Sequence, residues 1–132
     1  MPVPVFTHPD CLRHDPGAGH PEAPARLEAL LARCRREPGV AVREASPATL
    51  ADLERVHPAD YLASLEAMSA RGGGQLFLDT VLNGHSWSAA LGAAGAVLAA
   101  TRLGLEGGWH AFAAIRPPGH HALAARGMGF CL

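Results

Sequence analysis

Aromatic residues are scarce in this 132-residue chain, at 5%, so its core has to be built mainly from aliphatic and small side chains. No run of like charges stands out, and 11 basic residues against 12 acidic ones leave a net charge of -1. That balance argues against a nucleic-acid groove or an anionic membrane surface as partner. The three cysteines, Cys11, Cys34 and Cys131, are an odd number at irregular spacing with no C-x-x-C pair. A disulfide framework is therefore not expected, and a reducing cytoplasm fits best. The opening residues Met1-Pro2-Val3-Pro4-Val5-Phe6 have neither the basic segment nor the long apolar stretch of a secretory signal. Internal repeats are absent too. What remains is 48% apolar residues against 17% charged ones, enough for one compact core, and residues 1–132 are read as part of a single domain.

Breakers divide the chain into short elements. Val3 to Thr7 reads as a strand that enters a loop at His8-Pro9. Pro24 opens a helix with Leu27, Leu30, Leu31 and Cys34 on one face, stopped by Pro38-Gly39. Val40 to Val42 is a brief second strand. Ser46-Pro47 is expected to cap a helix carrying Leu50, Leu53 and Val56, and a further helix from Pro58 to Ala70 buries Tyr61, Leu62, Leu65 and Met68 before Gly72-Gly73-Gly74 breaks it. Gln75 to Asp79 is a short extended piece. Thr80 to Thr101 carries no formal charge, but its Ala, Gly and Ser content gives a poor membrane transfer energy. A buried, closely packed helix from Ser86 to Leu103 is the better reading. His110 to Ile115 is a last apolar strand. Strands alternating with helices predict an α/β fold with a parallel sheet, in which functional residues gather beyond the carboxyl ends of the strands.

Arg116-Pro117-Pro118-Gly119-His120-His121 sits in that position. Two prolines and a glycine make a stiff turn that can hold two imidazoles, and a histidine can take and return a proton near neutral pH. Taken alone, the pair could equally be surface histidines. His8, Cys11 and His14, in His-x-x-Cys-x-x-His spacing, with His20 as a fourth ligand, would suit a small structural zinc module.

The wider pattern favours the tandem histidines. Arg116-Pro117-Pro118-Gly119-His120-His121-Ala122, followed by Gly129-Phe130-Cys131, resembles the signature of the histone deacetylase and acetylpolyamine amidohydrolase superfamily, above all its bacterial and class II branches. His20-Pro21-Glu22-Ala23-Pro24-Ala25-Arg26-Leu27, Val56-His57 with Tyr61-Leu62, Asp79-Thr80, Ser86 and Ala93-Ala94-Gly95 resemble further segments of that family in the correct order. The resemblance covers nearly the whole chain. It implies the arginase/deacetylase three-layer fold, with a central parallel sheet flanked by helices. It also implies a zinc-dependent deacetylase or amidohydrolase acting on acetyl-lysine, acetylpolyamines or related small amides, whose zinc polarises the carbonyl while the tandem histidines handle protons.

By that resemblance His121 is the main general base and acid, and His120 holds the reacting water by hydrogen bonding and charge. Gly129 and Phe130 contact substrate at the tunnel, and Arg26 lies near a product channel for acetate, where a carboxylate is bound in two-point fashion. His20 and Glu22 shape the fold, and His57, His85 and His110 are structural. The zinc ligands of the family, an Asp-x-His pair and a later Asp, and its catalytic Tyr are expected downstream of Leu132. These 132 residues alone are therefore expected to bind no catalytic zinc and to be inactive. Leu123-Ala124-Ala125-Arg126-Gly127-Met128 replaces a segment often acidic in relatives, which bears on substrate preference. An unpaired sheet edge and open apolar faces predict aggregation or pairing with another chain, including a homo-oligomer. The alternatives are a catalytically inactive deacetylase-like binding domain and the small metal module.

Overall fold

The structure is a computed structural model that describes residues 1–108 and 110–132. Its centre is a parallel three-stranded sheet in which β1 (Val3–Thr7) lies between β2 (Val40–Glu44) and β5 (Phe112–Ala113). Val3 to Thr7 pair with Val40 to Glu44, and Val5 and Phe6 pair with Phe112 and Ala113. The central strand is the most buried of the three, with Pro4, Val5 and Thr7 inside. The fold is α/β, as the alternation of elements requires, with helices flanking the parallel sheet.

Two helices close over this sheet. α1 (Pro24–Cys34) starts on the proline, where a missing N–H costs nothing, and buries Leu27 and Leu31 one turn apart. Leu30, expected on the same face, is 39% exposed. α4 (Ser86–Gly107) is the long helix and extends four residues beyond the expected end at Leu103. Val5, Leu27, Leu31, Ala93 and Ala114 meet with Cys11 in one core cluster. The small residues of α4 are what allow the contact. A side chain at Gly92 would lie 2.5 Å from the His8 ring, and one at Gly95 would lie 2.0 Å from the Ser46 carbonyl oxygen. α4 is long and apolar enough to cross a membrane by length and composition. Here one face packs on β1 and on the 3-10 turn Pro9–Leu12, while Val97 and Leu105 point outward, so the helix is buried on one side only, not all round.

A second cluster joins Tyr61 and Leu65 of α3 (Ala59–Ala70) to Leu82, with Met68, Leu76 and Trp87 against it. Leu82 belongs to a hairpin that the sequence pattern missed, β3 (Gly73–Phe77) antiparallel to β4 (Thr80–Asn83). Gly73 and Gly74 do not merely end α3. Gly73, at φ +109°, is a position where a Cβ would lie 2.1 Å from the Leu82 carbonyl oxygen, so glycine is required for the strands to meet.

α2 (Leu50–Glu54) is shorter than expected and is capped by Thr49 instead of Ser46-Pro47. Thr49 and Asp52 form a reciprocal capping box, and the bonds from Thr49 hold the Asp52 carboxyl below the usual range. None of its residues is buried, and Leu50 and Val56 are exposed. Leu53 and Val56 instead line an open apolar groove of about 760 Å³ with Tyr61, Val97, Leu98 and His120. β5 is also short. Only Phe112 and Ala113 form the strand, continued by an N–H of Ala114 to the Phe6 carbonyl at 2.8 Å, and Ile115 already belongs to the loop.

Candidate active site

The loop from Ile115 to Leu132 leaves the carboxyl end of β5, where an α/β sheet presents its chemistry. Its anchor is Arg116, 1% exposed and the largest fully buried side chain among the described residues. All five guanidinium N–H groups have acceptors. Nε and one Nη2 hydrogen grip the Glu22 carboxylate at 3.0 and 2.8 Å, the two-point geometry that planar guanidinium favours. The others donate to the carbonyls of Cys11, at 2.7 Å, of His14, and of Glu22, at 3.3 Å. A buried charge this well satisfied ties the 11–22 loop to the root of the histidine turn. Glu22, expected to shape the fold, is the carboxylate of this clamp.

Arg26 reaches the same carboxylate from outside, with Nη1 at 3.2 Å from Glu22 Oε1 and a side chain 65% exposed. The assigned product-channel arginine thus borders the buried cluster but does not lie among the tandem histidines. His14 completes the cluster, its Nδ1 2.7 Å from Ser86 Oγ and its Nε2 3.7 Å from Glu22 Oε2. Burial, reinforced by the positive charge of Arg116, lowers its pKa to about 4, against a smaller opposing pull from Glu22. His14 is therefore neutral at pH 7. Burial likewise pushes the thiol of Cys11 up.

Beyond the clamp, the turn places the two imidazoles 4.3 Å apart, centroid to centroid, with planes at 65°. Both rings are exposed, and His120 borders the apolar groove. His121 is held more tightly. Its backbone N–H points at Cys131 Sγ at 3.3 Å, and its Nδ1 lies 3.2 Å from the Gly129 carbonyl oxygen. A carbonyl can only accept, so Nδ1 carries the hydrogen and Nε2 keeps its lone pair. Gly129 is required for this contact. Its φ is +59°, and a Cβ there would lie 2.5 Å from His121 Nδ1.

Phe130 follows in the same left-handed region, at φ 70°, a conformation that costs a non-glycine residue roughly 1–2 kcal/mol. Its N–H donates to Thr80 Oγ1 at 3.0 Å, which offsets part of that strain. The Phe130 ring meets His20 edge-on at 4.7 Å and lines a small crevice with His14, Asp79 and Val81, apart from the groove bordered by His120. The geometry therefore brings together His120, His121, Gly129 and the backbone of Phe130, and leaves the Phe130 ring and Arg26 to either side.

The four candidates for a small metal module do not assemble among the described residues. His20 accepts the Glu22 N–H at Nδ1 and donates from Nε2 to the Asp79 carbonyl, so neither nitrogen is free. His8 Nδ1 accepts from the Asp10 N–H, and the Cys11 thiol is directed at the Ala89 carbonyl at 3.9 Å. His57 donates from Nδ1 to the Ala124 carbonyl at 2.6 Å. Among the described residues, the group whose donor atoms do converge is His120, His121 and Cys131, all within 4.8 Å of one another. The family zinc is a separate matter. None of the five aspartates, Asp10, Asp15, Asp52, Asp60 and Asp79, is followed two positions later by histidine, so its Asp-x-His ligand pair does not occur in these residues.

Two participants escaped the motif reading. Arg116 stands in the sequence only as the first residue of the signature, and Cys131 as its last. A lone arginine between an apolar strand and two prolines is the signal for a buried ion pair, but its partner is 94 positions away.

The parallel α/β sheet with paired histidines beyond a strand end accords with the resemblance read from the sequence, and comparison with known proteins identifies the family. A sequence profile of the histone deacetylase domain matches residues 20–132. The histone deacetylase-like amidohydrolase of Pseudomonas aeruginosa is 42% identical over 118 residues, covering 86% of this chain and 31% of that protein. A probable deacetylase of Methanothermobacter thermautotrophicus is 37% identical, covering 86% of this chain and 34% of that one. The crystal structure of the HDA15 HD domain superposes with a TM-score of 0.90 at 32% identity, over 98% of this chain and 40% of its own. The chain belongs to the histone deacetylase family and has the arginase/deacetylase fold. It spans less than half the length of these relatives.

Proposed function

We propose that these residues supply the proton-handling half of the active site of a zinc-dependent deacetylase, which cleaves the amide of acetyl-lysine, acetylpolyamines or similar small amides in the cytoplasm. The observation that carries this reading is the tandem imidazole pair, with His121 Nδ1–H fixed on the Gly129 carbonyl and its Nε2 lone pair left free. A base must present an unprotonated nitrogen toward the reacting water, and the bond at the far side of the ring sets which nitrogen that is. His121 takes the proton of the attacking water and returns it to the departing amine. His120, edge-on beside it, orients the water and responds to the charge on its neighbour.

The zinc that the family resemblance implies would polarise the carbonyl, and its Asp-x-His ligand pair does not occur in these 132 residues. Gly129 and Phe130 meet the acyl chain of the substrate, and Arg26 binds departing acetate near the Glu22 cluster. The three free cysteines accord with a reducing compartment. The test is acetate release from acetyl-lysine peptides and acetylpolyamines by a complete family domain carrying these residues, with and without chelator. Turnover abolished by chelator supports the proposal. Binding of the acetylated compounds without any turnover would replace it with an inactive binding domain.

A further inference from the structure

We propose that His120, His121 and Cys131 form a cation site of their own, which takes a borderline-soft divalent transition ion such as Zn2+ and is separate from the zinc of the deacetylase reaction. Two imidazole nitrogens and a thiolate are the donor set that selects zinc or cobalt(II) over magnesium or calcium. Their donor atoms already lie within 4.8 Å of one another. A tetrahedral zinc ion with nitrogen and sulfur ligands needs them roughly 3.5 Å apart. Both imidazoles are exposed, and a turn of His120 about its side-chain bonds, with a smaller one of His121 that keeps its bond to Gly129, moves the nitrogens by the required distance of about an ångström.

The sulfur, by contrast, is fixed. Cys131 is 0% exposed, its N–H donates to the Met128 carbonyl at 3.0 Å, and its Sγ accepts the His121 N–H at 3.3 Å. An N–H aimed at sulfur complements the negative charge of a metal-bound thiolate. His121 is prepared in the same way, because metal-ligating histidines commonly donate their other ring N–H to a carbonyl, as Nδ1 does here to Gly129. Binding replaces the S–H bond with a metal–sulfur bond and releases that proton to water, while each imidazole gives a lone pair. A water completes the fourth position on the exposed side.

The consequence for catalysis rests on the proposed deacetylase function: a cation here occupies the lone pairs that proton transfer requires, so the filled site is inhibitory. The binding itself does not depend on that function and is tested on this chain directly, by cobalt(II) titration followed in the near-ultraviolet and visible. One equivalent is expected to produce a thiolate-to-cobalt charge-transfer band and the strong visible absorption of a tetrahedral ion, both removed by added Zn2+. Cys131→Ser should abolish the charge-transfer band. His120→Ala, a change at an exposed residue, should weaken binding by about tenfold or more, and His110→Ala should leave it unchanged. Absence of the band at one equivalent, or equal affinity in His120→Ala, overturns the proposal. Loss of turnover in the complete domain would bear on the deacetylase reading and leave the cobalt spectra as they are.

Discussion

Replacing Arg116 with methionine keeps much of the buried volume and removes all five donors at once. The Glu22 carboxylate, 3% exposed, then loses its two-point partner while staying out of water. Breaking a buried ion pair from one side costs about 3–5 kcal/mol, because the remaining charge is uncompensated. The carbonyls of Cys11, His14 and Glu22 lose a donor as well, at about 1 kcal/mol each where they remain buried, although these losses overlap as the loop relaxes. Arg26 stays 3.2 Å from Glu22 but is 65% exposed, and a pair of that kind returns at most about 1 kcal/mol. The net expectation is about 4 kcal/mol, a large part of the 5–15 kcal/mol that holds a typical domain together. Urea unfolding followed by circular dichroism measures it. Glu22→Leu combined with Arg116→Met should recover part of the loss, and Arg26→Ala should cost under about 1 kcal/mol. A loss below about 1 kcal/mol for Arg116→Met, or an equal loss for Arg26→Ala, would refute the assignment of Arg116 as the anchor.

Acid should weaken the fold through His14. Its folded pKa of about 4 lies below its ordinary value of 6.5, so between those values the unfolded chain binds the proton and the folded chain does not. Stability is therefore level above pH 6.5 and falls as pH drops toward 4, by up to about 3 kcal/mol. His14→Gln should flatten that slope in urea midpoints taken between pH 7 and 4.5, and an unchanged slope contradicts the placement of His14. Gly95→Ala should destabilise by about 1–3 kcal/mol or more, because its Cβ meets the Ser46 carbonyl oxygen at 2.0 Å and the Ala48 nitrogen at 2.8 Å. Gly119→Ala, with nothing within 4 Å, serves as the neutral control in thermal melts.

The elements that showed plainly in the sequence are those whose apolar spacing agrees with their breakers. β1, α1 and α3 follow from Val3 to Thr7, from Leu27 and Leu31, and from Tyr61, Leu62 and Leu65. The β3–β4 hairpin did not show, because Gly73 and Gly74 serve close backbone approach, and glycine in a pattern reads first as a stop. α2 begins later than its sequence pattern suggests, since Ser46-Pro47 imitates a cap while Thr49 and Asp52 make the real one. The histidine turn was legible as a motif. Its support was not, because Arg116, Glu22 and His14 meet only in three dimensions, across 94 and 102 positions. The convergence of Cys131 on His121 was hidden for a related reason: two left-handed residues, Gly129 and Phe130, fold the chain back on itself.

The most direct measurement is kcat for an acetyl-lysine substrate in a complete family domain carrying these residues, compared between the parent and His121→Ala over a range of pH. Loss of a positioned acid–base group predicts a fall of about 10²–10⁴-fold and loss of the pH-dependent limb it controls. A variant that keeps the parent's kcat and pH profile would contradict the claim that this imidazole carries the proton.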